Sequence, residues 1–411
     1  MPAAGPRLIT RPFVVVTGAA FAYFCALGAV APVLPIYVED QLGGSGVAVG
    51  LTVGVFAVSA ALLRPLAGRI GDRHGRGVLV VGGSVVFGLS VLAYGLIESV
   101  PWLLAMRLIS GVGEAAVFVG AATTAQDLAP AHRRGEAASY FSVAIYGGIG
   151  VAPIIGEAVQ RSHGTTAVWV LAAGLAFVGA VLGAFIPKVA AAQDGPPPAP
   201  QTRLRRVFHP AALGPGCIML LATSGLVAFT AFMPRYALDL GLDGSGRVFL
   251  LYSALVLTVR ILGARLPDRL GATKSASAAL AIQTVGFVLM GLWAASTGLY
   301  ASTAVYALGV SLMYPSLMPL VIAGAPDAER SQAVGTFTLF FDLAQGFGGI
   351  LFGVVVAIGG TRWAFPVAGL LCAVALGVLR YGPIGRGEPV GTQAFDEADL
   401  DPVDQCPPLI D

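Results

Sequence analysis

Long apolar runs alternate with short polar segments along almost the whole chain. Each run is close to the length of about 20 residues that a helix needs to cross the hydrocarbon core of a bilayer. The pattern therefore predicts about twelve membrane-spanning helices. They fall at residues 13–37, 47–66, 78–97, 102–126, 137–158 and 166–187, and then at 211–236, 246–266, 275–296, 299–323, 332–358 and 363–381.

Two stretches interrupt this pattern. Residues 188–210 are rich in proline and polar groups and become basic toward their end, which predicts a cytoplasmic linker. Residues 384–411 are acidic and lack apolar periodicity, so we expect a disordered tail. The rest of the chain then forms two bundles of six helices, residues 1–187 and residues 211–383.

The composition indicates an all-α polytopic membrane protein. Hydrophobic residues make up 56% of the chain and charged residues only 11%, whereas soluble domains carry about 25% charged residues. The four cysteines have no paired spacing, which indicates neither a disulfide framework nor a metal site. No phosphate-binding glycine loop or catalytic motif is found, so we expect no enzymatic activity, no cofactor and no nucleic-acid partner.

Lysine and arginine residues gather on one side of the predicted membrane. If the N-terminus is cytoplasmic, the cytoplasmic loops hold most of the basic residues, and the opposite loops hold only Arg161, Arg235, Arg247 and Arg362. Basic residues accumulate in cytoplasmic loops. We therefore expect a multi-pass protein of the cell membrane with both termini in the cytoplasm.

The two predicted bundles are related in sequence. Residues 64–75 (RPLAGRIGDRHG) align with residues 260–271 (RILGARLPDRLG), which pairs Arg64 with Arg260. Parallel repeats of this kind are related by an axis along the membrane normal, and they place the substrate site near the midplane between the halves. The duplication therefore predicts two pseudo-symmetric halves.

A glycine- and arginine-rich turn joins the second and third predicted helices, at residues 66–78. Such a segment cannot lie in hydrocarbon and must be a short cytoplasmic loop. Its pattern consists of Gly68, Asp72, Arg73, Gly75 and Arg76. The spacing resembles the signature loop of the major facilitator superfamily of secondary transporters.

This resemblance covers all twelve predicted helices and implies the fold of that superfamily, with alternating access to a central site. It also implies a charge network at the cytoplasmic face, formed by Asp72 and Arg76, that locks the halves together in the outward-facing state. Asp127, at the end of the fourth helix, is a plausible partner of Arg76. The alternative is an ordinary loop with routine positive charges.

Two charged residues lie within the fourth predicted helix, Arg107 in its outer half and Glu114 near its middle. The run resembles a motif of proton-coupled members of the superfamily, with a buried arginine followed by glycines. Desolvation favours a neutral carboxyl group, and a nearby arginine favours the carboxylate, so a balanced acid can bind and release a proton. The alternative is a structural ion pair that keeps its charges.

Asp342 is an acid in the middle of the eleventh predicted helix, and the repeat pairs it with Tyr146. An isolated acid at membrane depth is a functional hypothesis by default, because burying it is costly. We therefore expect Asp342 to bind protons or substrate. The alternative is an acid held by hydroxyl or backbone groups.

The fifth predicted helix contains Gly150, Pro153 and Gly156. They loosely resemble the glycine–proline motif of antiporters in this superfamily, but Val151 and Ala152 separate the glycine from the proline. In physical terms this is a helix that can kink and pack closely. A generic glycine-rich membrane helix is the alternative.

Aromatic and amide side chains could line the central cavity and suit an amphipathic or cationic organic compound. The candidates are Tyr23, Tyr146, Phe229, Phe232, Tyr306, Tyr314, Phe341 and Gln345.

Together these patterns predict a monomeric, proton-coupled antiporter that exports a small organic compound through the lipid bilayer. One alternative is a proton-coupled symporter that imports a nutrient. Another is a non-transporting membrane sensor or an intramembrane enzyme on the same fold.

Overall fold

The computed structural model describes residues 8–130, 133–187, 209–263, 270–326 and 329–382. Within these ranges the chain folds into helices and contains no strand. The predicted tail and nearly all of the predicted linker lie outside the described residues, as does Asp268, which the repeat pairs with Asp72.

The first span consists of two helical segments, Arg11–Val30 and Val33–Asp40, which together form α1. The rest of the N-terminal half consists of α2 (Gly46–His74), α3 (Arg76–Tyr94), α4 (Val100–Asp127), α5 (Arg134–His163) and α6 (Thr165–Ala184). The C-terminal half consists of α7 (Pro210–Asp239), α8 (Gly246–Leu262), α9 (Ala272–Leu292), α10 (Ser296–Ala323), α11 (Arg330–Gly359) and α12 (Ala364–Tyr381), the last preceded by a 3₁₀ turn at Thr361–Trp363.

Eleven of these helices are long and apolar enough to cross a membrane. The exception is α8, which has 17 residues and ends just before residues 264–269, outside the described part of the chain. It occupies the repeat position of α2. The predicted all-α architecture of twelve membrane helices is therefore confirmed.

The duplication in the sequence is also present in the packing. The hydroxyl group of Tyr37 in α1 donates hydrogen bonds to the carbonyl oxygens of Tyr94 (3.1 Å) and Ile97 (2.6 Å), at the end of α3. The hydroxyl group of Tyr236 in α7 donates in the same way to the carbonyl oxygen of Met290 in α9 (2.8 Å). Each tyrosine thus joins the first helix of its half to the third.

The two faces of the helical bundle differ in how tightly the halves contact each other. We call the face with the loop between α2 and α3 the motif side, and the opposite face, where α1 ends and α2 begins, the far side. On the far side, α2 and α11 cross at glycines. A Cβ atom at Gly50 would collide with the carbonyl oxygen of Gly349, and one at Gly54 would lie 3.3 Å from the carbonyl oxygen of Gly346. The backbones touch because no side chains separate them.

Polar contacts also hold the halves together on the far side. The carboxylate of Glu157 in α5 accepts hydrogen bonds from the backbone nitrogens of Ser245 (2.6 Å) and Gly246 (3.0 Å), at the start of α8. An acid at a helix N-terminus is stabilised by the unpaired N–H groups and the helix dipole. In addition, Arg235 of α7 forms an ion pair with Asp40 of α1 at 3.2 Å. The far side is therefore closed.

Among the described residues, the same two helices, α2 and α11, make no such close glycine contacts toward their motif-side ends. A Cβ atom at Gly68 or at Gly335 would meet no atom within 4 Å, and the Asp72 side chain is 62% exposed. Among the residues that the structure describes, the two halves thus contact each other more closely on the far side than on the motif side.

Candidate functional site

Arg64 of α2 joins the two halves at a depth between the motif side and the far side. Its Nη1 atom lies 2.6 Å from both carboxylate oxygens of Asp342 in α11. Its Nη2 atom lies 3.6 Å from Oε1 of Glu114 in α4, and its guanidinium group lies 4.8 Å from the centre of the Phe118 ring. We call Arg64, Glu114 and Asp342 the charge triad, because one arginine contacts an acid from each half.

The triad lies at the depth of the bilayer centre. Asp342 is about 18 Å from the motif-side end of α11, and Glu114 is about 21 Å from the far-side end of α4, at about 1.5 Å per residue. Since the hydrocarbon core is about 30 Å thick, neither acid can reach a membrane surface. Charges at this depth need partners inside the protein.

The triad is buried but incompletely satisfied. Glu114 is 7% exposed and Asp342 is 6% exposed, whereas the Arg64 side chain keeps 20% of its surface accessible. The Oε2 atom of Glu114 and the Nε atom of Arg64 are buried without a hydrogen-bond partner. One cation thus faces two acids, and a free carboxyl oxygen is available for a proton or a ligand.

Arg107 is not the partner of Glu114, contrary to the ion pair considered from the sequence. The two residues are separated by about 10 Å along α4, and Arg107 bonds instead to the carbonyl oxygen of Thr52 in α2 (Nε to O, 2.8 Å). Its guanidinium group also lies 4.1 Å from the centre of the Phe56 ring. Arg107 therefore links α4 to α2 on the far side of the triad.

The sequence suggests an isolated acid at Asp342, but in the structure this acid has a partner. The partner is Arg64, which the sequence does not identify. In the sequence, Arg64 is informative only as part of the internal repeat, because the apolar run places it near the end of a helix predicted at 47–66. In the structure α2 continues to His74, so Arg64 lies about 15 Å inside the helix end, at about 1.5 Å per residue. An arginine within an apolar run was the signal available in the sequence.

The glycine- and arginine-rich loop forms a second charged cluster, at the motif side. Arg76 forms an ion pair with Asp127 at the end of α4, and its Nη2 atom lies 3.9 Å from Oδ1 of Asp72. Gly75 separates α2 from α3 with φ at +95°, a conformation that favours glycine. Arg73 is exposed. In this state the cluster links helices of the N-terminal half.

Exchanging the two charges of this pair provides a test of the cluster. We expect Asp127→Ala to reduce transport severalfold, because Arg76 then loses its strongest partner, and we expect the double variant Arg76→Asp, Asp127→Arg to regain part of the loss. Uptake rates measured at equal protein levels check this. An unchanged rate in Asp127→Ala, or no recovery in the double variant, would contradict a role for the pair.

Comparison with known proteins identifies the family. The profile of the Major Facilitator Superfamily matches residues 16–282 and 245–402, which together cover most of the chain. The chain belongs to the major facilitator superfamily. It is therefore a multi-pass membrane transporter of the MFS type.

Curated relatives and solved structures agree with this family. The chain is 27% identical to the uncharacterized MFS-type transporter YhhS of Escherichia coli K12, over 87% of this chain and 88% of the relative. It is 28% identical to the uncharacterized MFS-type transporter STM4428 of Salmonella typhimurium, over 86% and 92%. Its fold is similar to a bacterial homologue of the lysosomal transporter Spinster in an inward-facing, unoccupied conformation (TM-score 0.73, 16% identity, 95% and 100% coverage).

Four of the aromatic residues predicted to line the cavity of this transporter are packed inside the helix bundles instead. They are Tyr23, Phe229, Phe232 and Tyr306, each fully buried. Rings of this size fill the space between helices, and Tyr306 lies 4.3 Å from the ring centre of Phe287 and 5.3 Å from that of Phe229. The other candidates, Tyr146, Tyr314, Phe341 and Gln345, are half-buried.

The glycines of the helix-five motif serve helix packing in this transporter. Gly150 faces Ser253 of α8, where a Cβ atom would lie 2.5 Å from the Cβ atom of the serine, and Gly156 packs against the backbone of Ala29 in α1. Pro153 lies within α5. The motif therefore brings α5 close to one helix of its own half and to one helix of the other.

Proposed function

We propose that this protein is a proton-coupled secondary transporter of a small organic compound, with the charge triad as its coupling site. One observation carries the proposal: Arg64 is held between an acid of each half, at membrane depth, while the described parts of the halves pack closely on the far side. A proton that binds to the triad changes the charge balance of a contact that joins the halves, and alternating access has to rearrange the contacts between them.

The charge count of the triad supports the binding of one proton. With both acids ionised, one guanidinium group faces two carboxylates in a site that excludes most water. Two carboxylates that contact the same arginine repel each other, which disfavours the doubly ionised state, and a single proton restores neutrality. The unpaired Oε2 atom of Glu114 is a suitable place for that proton. We propose a cycle that carries one proton.

With both termini in the cytoplasm, the motif side is the cytoplasmic side and this state faces inward. We propose that the protein lies in the inner membrane and works as a monomer. We also propose that it exports its substrate in exchange for protons, since the helix-five motif resembles that of antiporters. Protons and substrate then occupy the triad in turn.

The charge triad also favours a second candidate, cotransport. Protonation of Asp342 releases the guanidinium group of Arg64, which can then bind a negatively charged group of the substrate. In that case proton and substrate bind together, and the protein imports its substrate.

Everted membrane vesicles distinguish the two directions. Candidate compounds are screened first by comparing their accumulation in cells with and without the protein. An acidic vesicle interior should then drive uptake of the compound while protons leave, if the protein exports. Uptake driven only by an alkaline interior would support the symporter and overturn the exporter. Movement that ignores the pH gradient in both directions would overturn proton coupling.

Neutralising either acid should uncouple transport. We expect Asp342→Asn and Glu114→Gln to reduce proton-driven accumulation at least tenfold, because the proton site is lost, while exchange of labelled for unlabelled substrate continues. Glu98→Gln is the matched control, since Glu98 is an exposed acid on the far side. Accumulation at the wild-type level in both triad variants would show that neither acid carries the proton.

A further inference from the structure

The repeat mate of Arg64 is Arg260, which has no acidic partner among the described residues. Arg260 of α8 lies where α8 meets α5, and its guanidinium group is 4.6 Å from the centre of the Tyr146 ring. Its Nε atom is buried without a hydrogen-bond partner. Among the residues that the structure describes, no carboxylate forms an ion pair with Arg260, whereas Arg64 contacts two.

The repeat explains this asymmetry. The register that pairs Arg64 with Arg260 also pairs Asp342 with Tyr146, and it places Val310 at the position of Glu114. Each arginine therefore contacts a helix of the other half, α11 for Arg64 and α5 for Arg260, and these two helices are counterparts in the repeat. On the α8 side, however, a ring and an aliphatic side chain replace the two acids. An arginine therefore occupies the position that corresponds to Arg64, but no acid occupies the positions that correspond to Asp342 and Glu114.

Arg260 is placed to meet a ligand. On its far side, α5 and α8 are closed by the contact of Gly150 with Ser253 and by the contacts of Glu157 with the start of α8. Arg260 and Tyr146 lie on the motif-side flank of these contacts, as Arg64 and Asp342 do between α2 and α11. Both arginines are half-buried. An arginine at membrane depth is a functional candidate because its charge must be balanced by something.

We propose that Arg260 binds a carboxylate group of the transported compound. A guanidinium group can donate two parallel hydrogen bonds to a carboxylate. The proposal rests on the proposed transport function and names its substrate as an organic anion. It replaces the expectation of a cationic compound.

The surroundings of Arg260 favour an aromatic or apolar body on that anion. The half-buried Tyr146 ring lies against the guanidinium group, whereas Tyr252 and Tyr306 are buried and stack on each other with ring centres 5.7 Å apart. The hydroxyl group of Tyr306 is buried without a partner. A ring beside a cation suits a planar acid, whose body can lie along the Tyr146 ring while its carboxylate meets the arginine.

Three compounds of one shape test the charge requirement. They are 2-naphthoate, 2-naphthamide and 2-naphthylmethylamine, which carry a negative, a neutral and a positive group. Binding to the purified full-length protein is measured as ligand-induced thermal stabilisation, which gives an apparent Kd. We expect naphthoate to bind at least tenfold more tightly than the other two. Equal binding of naphthoate and naphthamide, including no binding of either, would overturn the proposal.

Variants of Arg260 locate the site. We expect Arg260→Gln to raise the Kd of naphthoate about 10- to 100-fold, as expected for loss of hydrogen bonds to a charged group, and Arg260→Lys to raise it less. Arg247→Gln is the control, because it removes the same charge from an exposed position of the same helix. Wild-type affinity in Arg260→Gln would place the anion elsewhere and overturn the proposal.

A separate measurement distinguishes a failure of anion binding at Arg260 from a failure of proton coupling at the charge triad. Spin labels at Leu96 and Leu292, exposed on the far side of each half, report whether that side is open. Without any probe, Arg260→Gln should keep the pH response of the wild-type distance, since the charge triad is intact. A wild-type protein whose distance ignores pH would argue against proton coupling and leave the naphthoate result standing.

Discussion

Replacing Arg64 by glutamine is expected to abolish proton-driven transport. The substitution leaves Glu114 and Asp342 buried without a cation, and removing one partner of a buried ion pair costs about 3–5 kcal/mol. Both acids then take up protons and keep them, so the site stops responding to the proton gradient. Uptake into vesicles should fall at least 100-fold, and the distance between labels at Leu96 and Leu292 should become independent of pH.

Three further variants make this result specific. Arg64→Lys keeps the charge but cannot contact both acids as a guanidinium group does, so we expect partial activity. Arg69→Gln removes an exposed arginine of the same helix and should have little effect. The double variant Arg64→Gln, Asp342→Asn should recover thermal stability without recovering coupling. If Arg64→Gln folds and still transports with protons, the triad is not the coupling site.

The fold could be predicted from the sequence because the bilayer imposes a simple rule on it. A membrane helix must be apolar over about 20 residues, and this chain has twelve apolar runs, eleven of which form helices that meet this requirement within the described residues. The ends of the helices were harder to predict. The helix predicted at 47–66 extends from Gly46 to His74, because a helix can continue beyond the hydrocarbon core with polar residues such as Arg69 and Asp72.

The candidate site could be predicted only in part. The sequence placed Glu114 and Asp342 at mid-membrane depth, since depth follows from position along a helix. It could not supply their common partner, because Arg64 and Asp342 are 278 positions apart and meet only through the packing of α2 on α11. Charge alone also did not distinguish Arg107, which bonds to a carbonyl oxygen, from Arg64, which contacts acids.

Aromatic residues show a similar limit. Tyr23 and Phe229 fill the interior of their bundles, whereas Tyr146 meets Arg260 between the halves. Composition does not separate these roles, because a ring packs equally well in a core or beside a ligand. The internal repeat is more informative, since it identifies Arg260 as the counterpart of Arg64 and shows that its acids have been replaced.

Alanine at Gly50 is expected to hold the far side of the protein open. The new methyl group would collide with the carbonyl oxygen of Gly349, a backbone atom that cannot rotate away, so α2 and α11 must separate there. The state described here then loses stability relative to the state that is open on the far side. Labels at Leu96 and Leu292 should move apart, and transport should fall at least tenfold, because about 1.4 kcal/mol shifts such an equilibrium by that factor.

Alanine at two other glycine positions tests whether the effect depends on the room for a Cβ atom. A Cβ atom at Gly54 would lie 3.3 Å from the carbonyl oxygen of Gly346, so Gly54→Ala should shift the distance in the same direction but less. Gly174→Ala, where a Cβ atom meets nothing within 4 Å, should change neither distance nor rate. Alanine favours a helix more than glycine does, so a loss in Gly50→Ala cannot come from helix propensity. An unchanged distance in Gly50→Ala would mean that the close crossing of α2 and α11 does not control closure of the far side.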